Sequence, residues 1–160
     1  MAVEIGFDDP RSEEVRALLA IHLAYSRAAS PAEYSFAMDS DDLIDPAVTF
    51  FSARHDGRLV GIAALKRLDE AHAELKSMHT VESERRLGIA RSILEHIVGY
   101  ARTAGYRRLS LQTGSTKEFA PARALYSECG FTRCEPFAGY SESSYNTFMT
   151  LELHRGRTDR

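Results

Sequence analysis

Apolar positions recur along the chain with two different periods, and the changes of period mark its elements. Val15, Leu18, Leu19 and Leu23 follow Asp9-Pro10 at helical spacing. Asp9 reads as an N-cap with proline at the first helical position, so a helix is predicted from there to about Ser26. A short strand, "VEI" (Val3 to Ile5), is predicted before it. "VTFFSAR" and "LVGIAALK" are apolar, partly β-branched runs separated by "HDGR". Asp56-Gly57 tolerates the positive φ angles of a tight turn, so these runs are predicted to pair as a hairpin. A third run, "HAELKSMHT" (His72 to Thr80), reads as another strand. Ile89, Ile93, Ile97 and Ala101, with Leu94 alongside, then line one face of a helix that Gly105 stops. "RRLSLQT" (Arg107 to Thr113) alternates as a strand does, and "FAPARALYSECG" (Phe119 to Gly130) reads as a helix closed by Gly130. "FTRCEPF" and "NTFMTLEL" are the last two predicted strands, linked by a polar loop, "AGYSESSY".

The predicted order is therefore β, α, loop, β, β, β, α, β, α, β, β. The segment from His72 to Thr113 is a strand–helix–strand crossover, which implies a parallel pair with a right-handed connection. The fold class this predicts is α/β: a central mixed sheet with one parallel β-α-β crossover and helices on both faces. "AASPAEYSFAMDSDDLIDP" (Ala28 to Pro46) shows no period and reads as a loop with one or two helical turns. At 160 residues the chain fits one domain, 1-160.

Composition narrows the partners. The formal net charge of -3 argues against a general nucleic-acid binder, which is usually basic. No apolar run approaches the ~20 residues of a membrane span. "MAVEIGFDDP" has neither the basic nor the apolar region of a secretory signal. Cys129 and Cys134 form no CxxC pair and read as reduced thiols, so the expected location is cytoplasmic. The histidines show no metal-ligand spacing such as HExxH, so no metal is expected. Ser77 and Ser110 have no obvious His–Asp partners, which argues against a triad.

The stretch "ESERRLGIAR" (Glu82 to Arg91) carries the chemistry. A strand ends, a loop holds Arg85 and Arg86, and a helix begins near Gly88. A helix start offers about four unpaired N–H groups and roughly half a positive charge. Arginines there oppose the helix dipole, unless an anion sits among them. The N–H groups of Arg86, Leu87, Gly88, Ile89, Ala90 and Arg91 suit a pyrophosphate. An ordinary charged helix start explains the same residues, and at this point the two readings stand level. Neither GxGxxG nor GxxxxGK[ST] is present, which disfavours a dinucleotide or a nucleoside triphosphate.

Arg85-x-x-Gly88-x-Ala90, opening a helix after a strand, resembles the acetyl-coenzyme A loop of the GNAT N-acetyltransferases. "ARALYSECGF" resembles that family's later A-x-x-LY-x-x-x-GF segment at Ala122, Leu125, Tyr126, Gly130 and Phe131. The resemblance runs from about Val48 to Leu153. It implies acetyl-CoA as cosubstrate, with its pantetheine arm against the backbone of Met78, His79 and Val81, and with Ala122 nearby. It implies Tyr126 as the group facing the leaving sulfur. Glu74 is the candidate base: it and Lys76 break an otherwise apolar crossover strand on one side, since side chains alternate. A Glu74–Lys76 pair facing solvent or each other explains that pattern too. Phe119 departs from the family, many members of which carry asparagine there. The resemblance implies an N-acetyltransferase acting on the primary amine of a small molecule, within a possible homodimer. A protein or peptide acceptor and a non-catalytic acyl-CoA-binding module stay open. The acidic "MDSDDLIDP" could attract a cationic amine, but a solvated loop is the preferred explanation.

Overall fold

The computed structural model describes residues 3–29, 38, 41–81 and 88–153. The elements follow the predicted order. They are β1 (Glu4–Phe7), α1 (Glu13–Ala29), β2 (Val48–His55), β3 (Arg58–Arg67), β4 (His72–Thr80), α2 (Ile89–Thr103), β5 (Arg108–Gly114), α3 (Ala120–Glu128), β6 (Thr132–Arg133) and β7 (Asn146–Glu152). Among the described residues seven strands form one sheet in the order β1-β2-β3-β4-β5-β7-β6, parallel between β4 and β5 and antiparallel elsewhere. Asp56 and Gly57 both take positive φ, 52° and 78°, as the hairpin between β2 and β3 requires.

Each face of the sheet has its own core. On one, Phe51, Val60, Leu65, Leu75, Leu109 and Leu111 meet Ile89, Ile93, Leu94 and Ile97 of α2, with Tyr126 of α3 and Phe131 beyond it. On the other, Val15, Leu18 and Leu19 of α1 and Leu43 meet Phe50, Leu59, Ile62 and Ala64. Gly61 sets how closely α2 approaches: a Cβ there would lie 2.7 Å from Ile93 Cδ1 and 3.3 Å from the His79 carbonyl. The helix ends follow local chemistry. After α2, Gly105 has φ 97°, and its N–H and that of Tyr106 reach the carbonyls of Arg102 and Ala101. Gly130, at φ 100°, ends α3 in the same way, its N–H and that of Phe131 reaching Ser127 and Tyr126.

Two elements differ from expectation. The first helix is capped by Ser12, whose Oγ accepts from Val15 N–H at 3.4 Å and whose carbonyl accepts from Arg16 at 2.9 Å. Asp9 instead closes a turn, its Oδ1 accepting from Arg11 N–H at 2.8 Å. The penultimate strand is only Thr132–Arg133. Cys134 N–H still reaches the Phe148 carbonyl at 2.9 Å, but Pro136 has no N–H with which to extend the ladder.

One irregularity shapes the site. The β4–β5 ladder runs from His72↔Arg108 to Leu75↔Leu111 and then stops. Beyond it β4 stays with β3 through Ile62↔His79 and Gly61↔Thr80, while β5 stays with β7 as far as Gly114↔Asn146. The cause lies in β4: Ala64 faces Lys76 and Ile62 faces His79, so Ser77 and Met78 oppose Ala63 alone, and Ser77 takes a φ of 57°. Such a bulge bends its strand away from its neighbour.

Candidate active site

The parted strands open a cleft of about 810 Å³. Its floor is β4 from Glu74 to Thr80 and β5 from Leu111 to Gly114; its walls are α1 at His22, Tyr25 and Ser26, the start of α2, and α3 at Ala122, Leu125 and Tyr126. Phe119 packs on Gly114, where a Cβ would lie 2.1 Å from its ring, and stacks edge-on against Tyr25 at 5.7 Å. The residue that departs from the family thus builds the cleft wall.

α2 starts as an anion site would. Gly88 caps it at φ 81° with no side-chain hydrogen bond, and no acidic residue lies in the first turn. An L-residue would be strained at that angle, and space is open where its Cβ would stand. Gly88, Ile89, Ala90 and Arg91 all line the cleft. Arg91 pairs with Glu128 and reaches Cys129 Sγ at 3.5 Å. Arg85, Arg86 and Leu87 lie outside the described residues.

Met78 and His79 line the cleft beside the bulge. Val81 donates its N–H to the Val60 carbonyl at 2.9 Å, and its side chain packs on the α1 core. His79 meets His22 of α1, Nδ1 to Nδ1 at 3.1 Å. Burial pushes His22 down to about 4, so it is neutral at neutral pH and one ring donates while the other accepts.

Glu74 is 2% exposed although it lines the cleft. Lys76 Nζ lies 3.3 Å from its Oε2, and the Tyr140 hydroxyl donates to the same oxygen at 2.8 Å. Tyr126, 7% exposed, stands in the α3 wall with its ring against Phe131 at 5.8 Å. Burial raises its pKa, so it is a neutral phenol.

Sequence reasoning missed two contacts. Tyr140, placed in a polar linker, turns inward: Ala138 and Gly139 take positive φ, and Tyr140 N–H returns to the Phe137 carbonyl at 2.9 Å. Two aromatics flanking Ala-Gly in a polar segment were the available signal. Ser110, expected to lack a histidine, bonds His72 Nε2 at 2.7 Å. It is buried and shared with Thr150 Oγ1 at 2.9 Å, so it is structural rather than nucleophilic. The acidic segment contributes nothing to the cleft among the described residues: Leu43 packs in the core, Asp41 lies 3.8 Å from Arg16, and Asp45 Oδ1 accepts from Ala47 N–H. No group of residues arranged for a metal and no helix long and apolar enough to cross a membrane occurs among the described residues.

A mixed sheet that parts beside a helix start with no side-chain cap and no acid in its first turn offers a cleft suited to an anionic cosubstrate, and comparison with known proteins identifies the class. Residues 15–131 match the model of the Acetyltransferase (GNAT) family. The chain is 44% identical to the uncharacterized N-acetyltransferase YsnE of Bacillus subtilis, across 94% of this chain and 100% of that one. It is 42% identical to the uncharacterized N-acetyltransferase YedL of Escherichia coli, across 93% and 94% respectively. In fold it resembles an acyl-CoA N-acyltransferase from Klebsiella pneumoniae, with a TM-score of 0.80 at 23% identity over 95% of this chain and 98% of that one. The chain belongs to the GNAT family of acetyltransferases. It is an acetyl-CoA-dependent N-acetyltransferase.

Proposed function

We propose that the enzyme acetylates the primary amine of a small molecule by direct attack within a ternary complex, with Glu74 as base and Tyr126 as the partner of the leaving sulfur. One observation carries this reading: a buried carboxylate and a buried phenol line a single cleft, Glu74 on the β4 floor and Tyr126 on the α3 wall. The start of α2 suits the pyrophosphate of coenzyme A, since its first turn has no acid, no side-chain cap and open space above Gly88. When bound, acetyl-CoA supplies an activated thioester. Met78 and His79 would lie along its pantetheine arm, Ala122 opposite, and Arg91 would exchange Glu128 for phosphate.

Each residue then has a defined task. Glu74 takes one proton from the acceptor's ammonium, leaving an amine lone pair to attack the carbonyl carbon. The new C–N bond replaces the C–S bond, whose electron pair leaves on sulfur, and the acylated nitrogen gives up its second proton to the departing thiolate, directly or through solvent, leaving amide and free coenzyme A thiol. Tyr126 donates a hydrogen bond to the sulfur as it gains charge. Direct attack is favoured because neither Cys129 nor Cys134 lines the cleft, and burial raises both thiols above their ordinary pKa. The cleft is a partly buried recess whose volume falls within the usual ~300–1,000 Å³ of small-ligand sites.

The test is thiol release from acetyl-CoA across a panel of amines, amino acids and peptides. Intersecting initial-velocity lines with a small amine are expected. Saturable CoA binding without release for any acceptor would overturn the reading, and release confined to peptides would overturn its choice of acceptor. Glu74→Gln should lower kcat/KM at neutral pH and recover as pH rises and the free amine forms. A wild-type-to-variant ratio that stays flat with pH removes Glu74 as base.

A further inference from the structure

Glu74 combines deep burial with an ion pair. Its side chain is 3% exposed, and that of Lys76 is 10% exposed. A carboxylate so far from water stays ionised only where partners replace the lost hydration. Lys76 Nζ is 3.3 Å from Oε2, the Tyr140 hydroxyl donates to the same oxygen at 2.8 Å, and Lys76 Nζ donates to the Tyr140 oxygen at 2.8 Å. The three polar atoms close a triangle, and the ammonium also lies 5.5 Å from the Tyr140 ring centroid. Tyr140 is held in turn by Phe137 and Phe148, whose ring centroids are 5.5 and 5.8 Å away.

The other groups around Glu74 are accounted for. Lys66 stands opposite it on β3, Ser110 beside it on β5, and His72 two positions before it on β4. Burial and then the Arg108 charge hold His72 below its ordinary range, so it is neutral at neutral pH. β7 brings Thr150 and Phe148, which do not titrate, and α1 faces the cleft with neutral His22. Among these groups, Lys76 and Tyr140 make the hydrogen bonds to the carboxylate.

We propose that Tyr140 and Lys76 are positioning residues, which hydrogen-bond the Glu74 carboxylate and orient it to take the acceptor's proton. The proposal rests on Glu74 being the base. Burial and the neighbouring carboxylate raise the Tyr140 pKa, so its O–H remains a donor throughout the working range. The carboxylate takes the first of the two protons the nitrogen loses, and the second leaves with the sulfur. The ammonium gives H⁺ to the carboxylate, while Tyr140 keeps its proton and Lys76 its charge. Glu74 then releases that proton to solvent.

The experiment is the pH profile of kcat/KM with one fixed amine, for wild type, Tyr140→Phe, Lys76→Met, Lys76→Arg and Glu74→Gln. Losing a donor to the carboxylate makes it easier to protonate, so the acid limb should move to higher pH in Tyr140→Phe. It should move further in Lys76→Met and return towards wild type in Lys76→Arg. On the high-pH plateau Tyr140→Phe should come within about threefold of wild type. Tyr140→Phe retains the ring and its contacts, so it decides the matter even if Lys76→Met fails to fold. A uniform loss of rate with the limb unmoved in Tyr140→Phe overturns the proposal and leaves Glu74 as base if Glu74→Gln is defective. Wild-type behaviour of Glu74→Gln removes the base assignment and the proposal together.

Discussion

Tyr126→Phe removes one oxygen from the cleft and leaves the ring against Phe131. Its effect follows from what that oxygen can do. An ordinary phenol is less acidic than a thiol by ~1.5 pKa units, so full proton transfer to the leaving thiolate is uphill by about 2 kcal/mol. Burial raises the Tyr126 pKa and widens that gap. In the proposed mechanism the hydroxyl therefore acts as a hydrogen-bond donor to developing charge, an interaction of ~1.5–3 kcal/mol. At 1.36 kcal/mol per decade this corresponds to a kcat lower by about 10- to 150-fold. Acetyl-CoA affinity should change little, because the bond strengthens only as charge reaches sulfur. The assay is thiol release at saturating acetyl-CoA and amine from pH 7 to about 9.5, with KM for acetyl-CoA measured alongside. A donor must keep its proton, so activity through Tyr126 is lost only as pH rises through its folded pKa. That value is raised, so the ratio of wild type to variant should stay constant across the range. Unchanged kcat refutes the role. A wild-type basic limb that the variant lacks would show that full proton transfer occurs after all.

Two other predictions concern the frame of the site. Gly61→Val should destabilise the fold by about 1–3 kcal/mol, because the added carbons meet Ile93 and the His79 carbonyl. It should also weaken acetyl-CoA binding by lifting the start of α2; urea unfolding and CoA titration read the two effects, and wild-type values in both would refute the packing argument. Asp8 is held below its ordinary pKa: burial opposes this, but hydrogen bonds from Ser52, the Asp9 backbone and Arg54 outweigh it. A depressed folded pKa stabilises above the unfolded value of 3.8 and loses that contribution as pH falls through the folded one. Asp8→Asn should therefore lower the melting temperature at pH 7 and lose its penalty as pH falls through the depressed folded pKa, and a penalty independent of pH would refute the charge argument.

What could be read from the chain was whatever local periodicity or turn chemistry dictates. The Asp56-Gly57 turn, the apolar face of α2 and the glycine stops at Gly105 and Gly130 depend on near neighbours, and the structure reproduces all of them. Glu74 and Lys76 were visible for a related reason, since two charges on one side of an apolar strand break its pattern. Tyr140 was not visible, because its partners lie 66 and 64 positions away and its own segment reads as polar linker. Nor was the bulge. Ser77 is neither glycine nor asparagine, yet it takes φ 57°, a conformation that costs an L-residue of this kind roughly 1 kcal/mol or more. No neighbouring residue announces it. β4 must stay on β3 while β5 stays on β7, and the extra residue at Ser77 lets both ladders continue as the strands diverge. The cleft lies where those two pairings part, so its position follows from sheet-wide register and not from any motif in the chain.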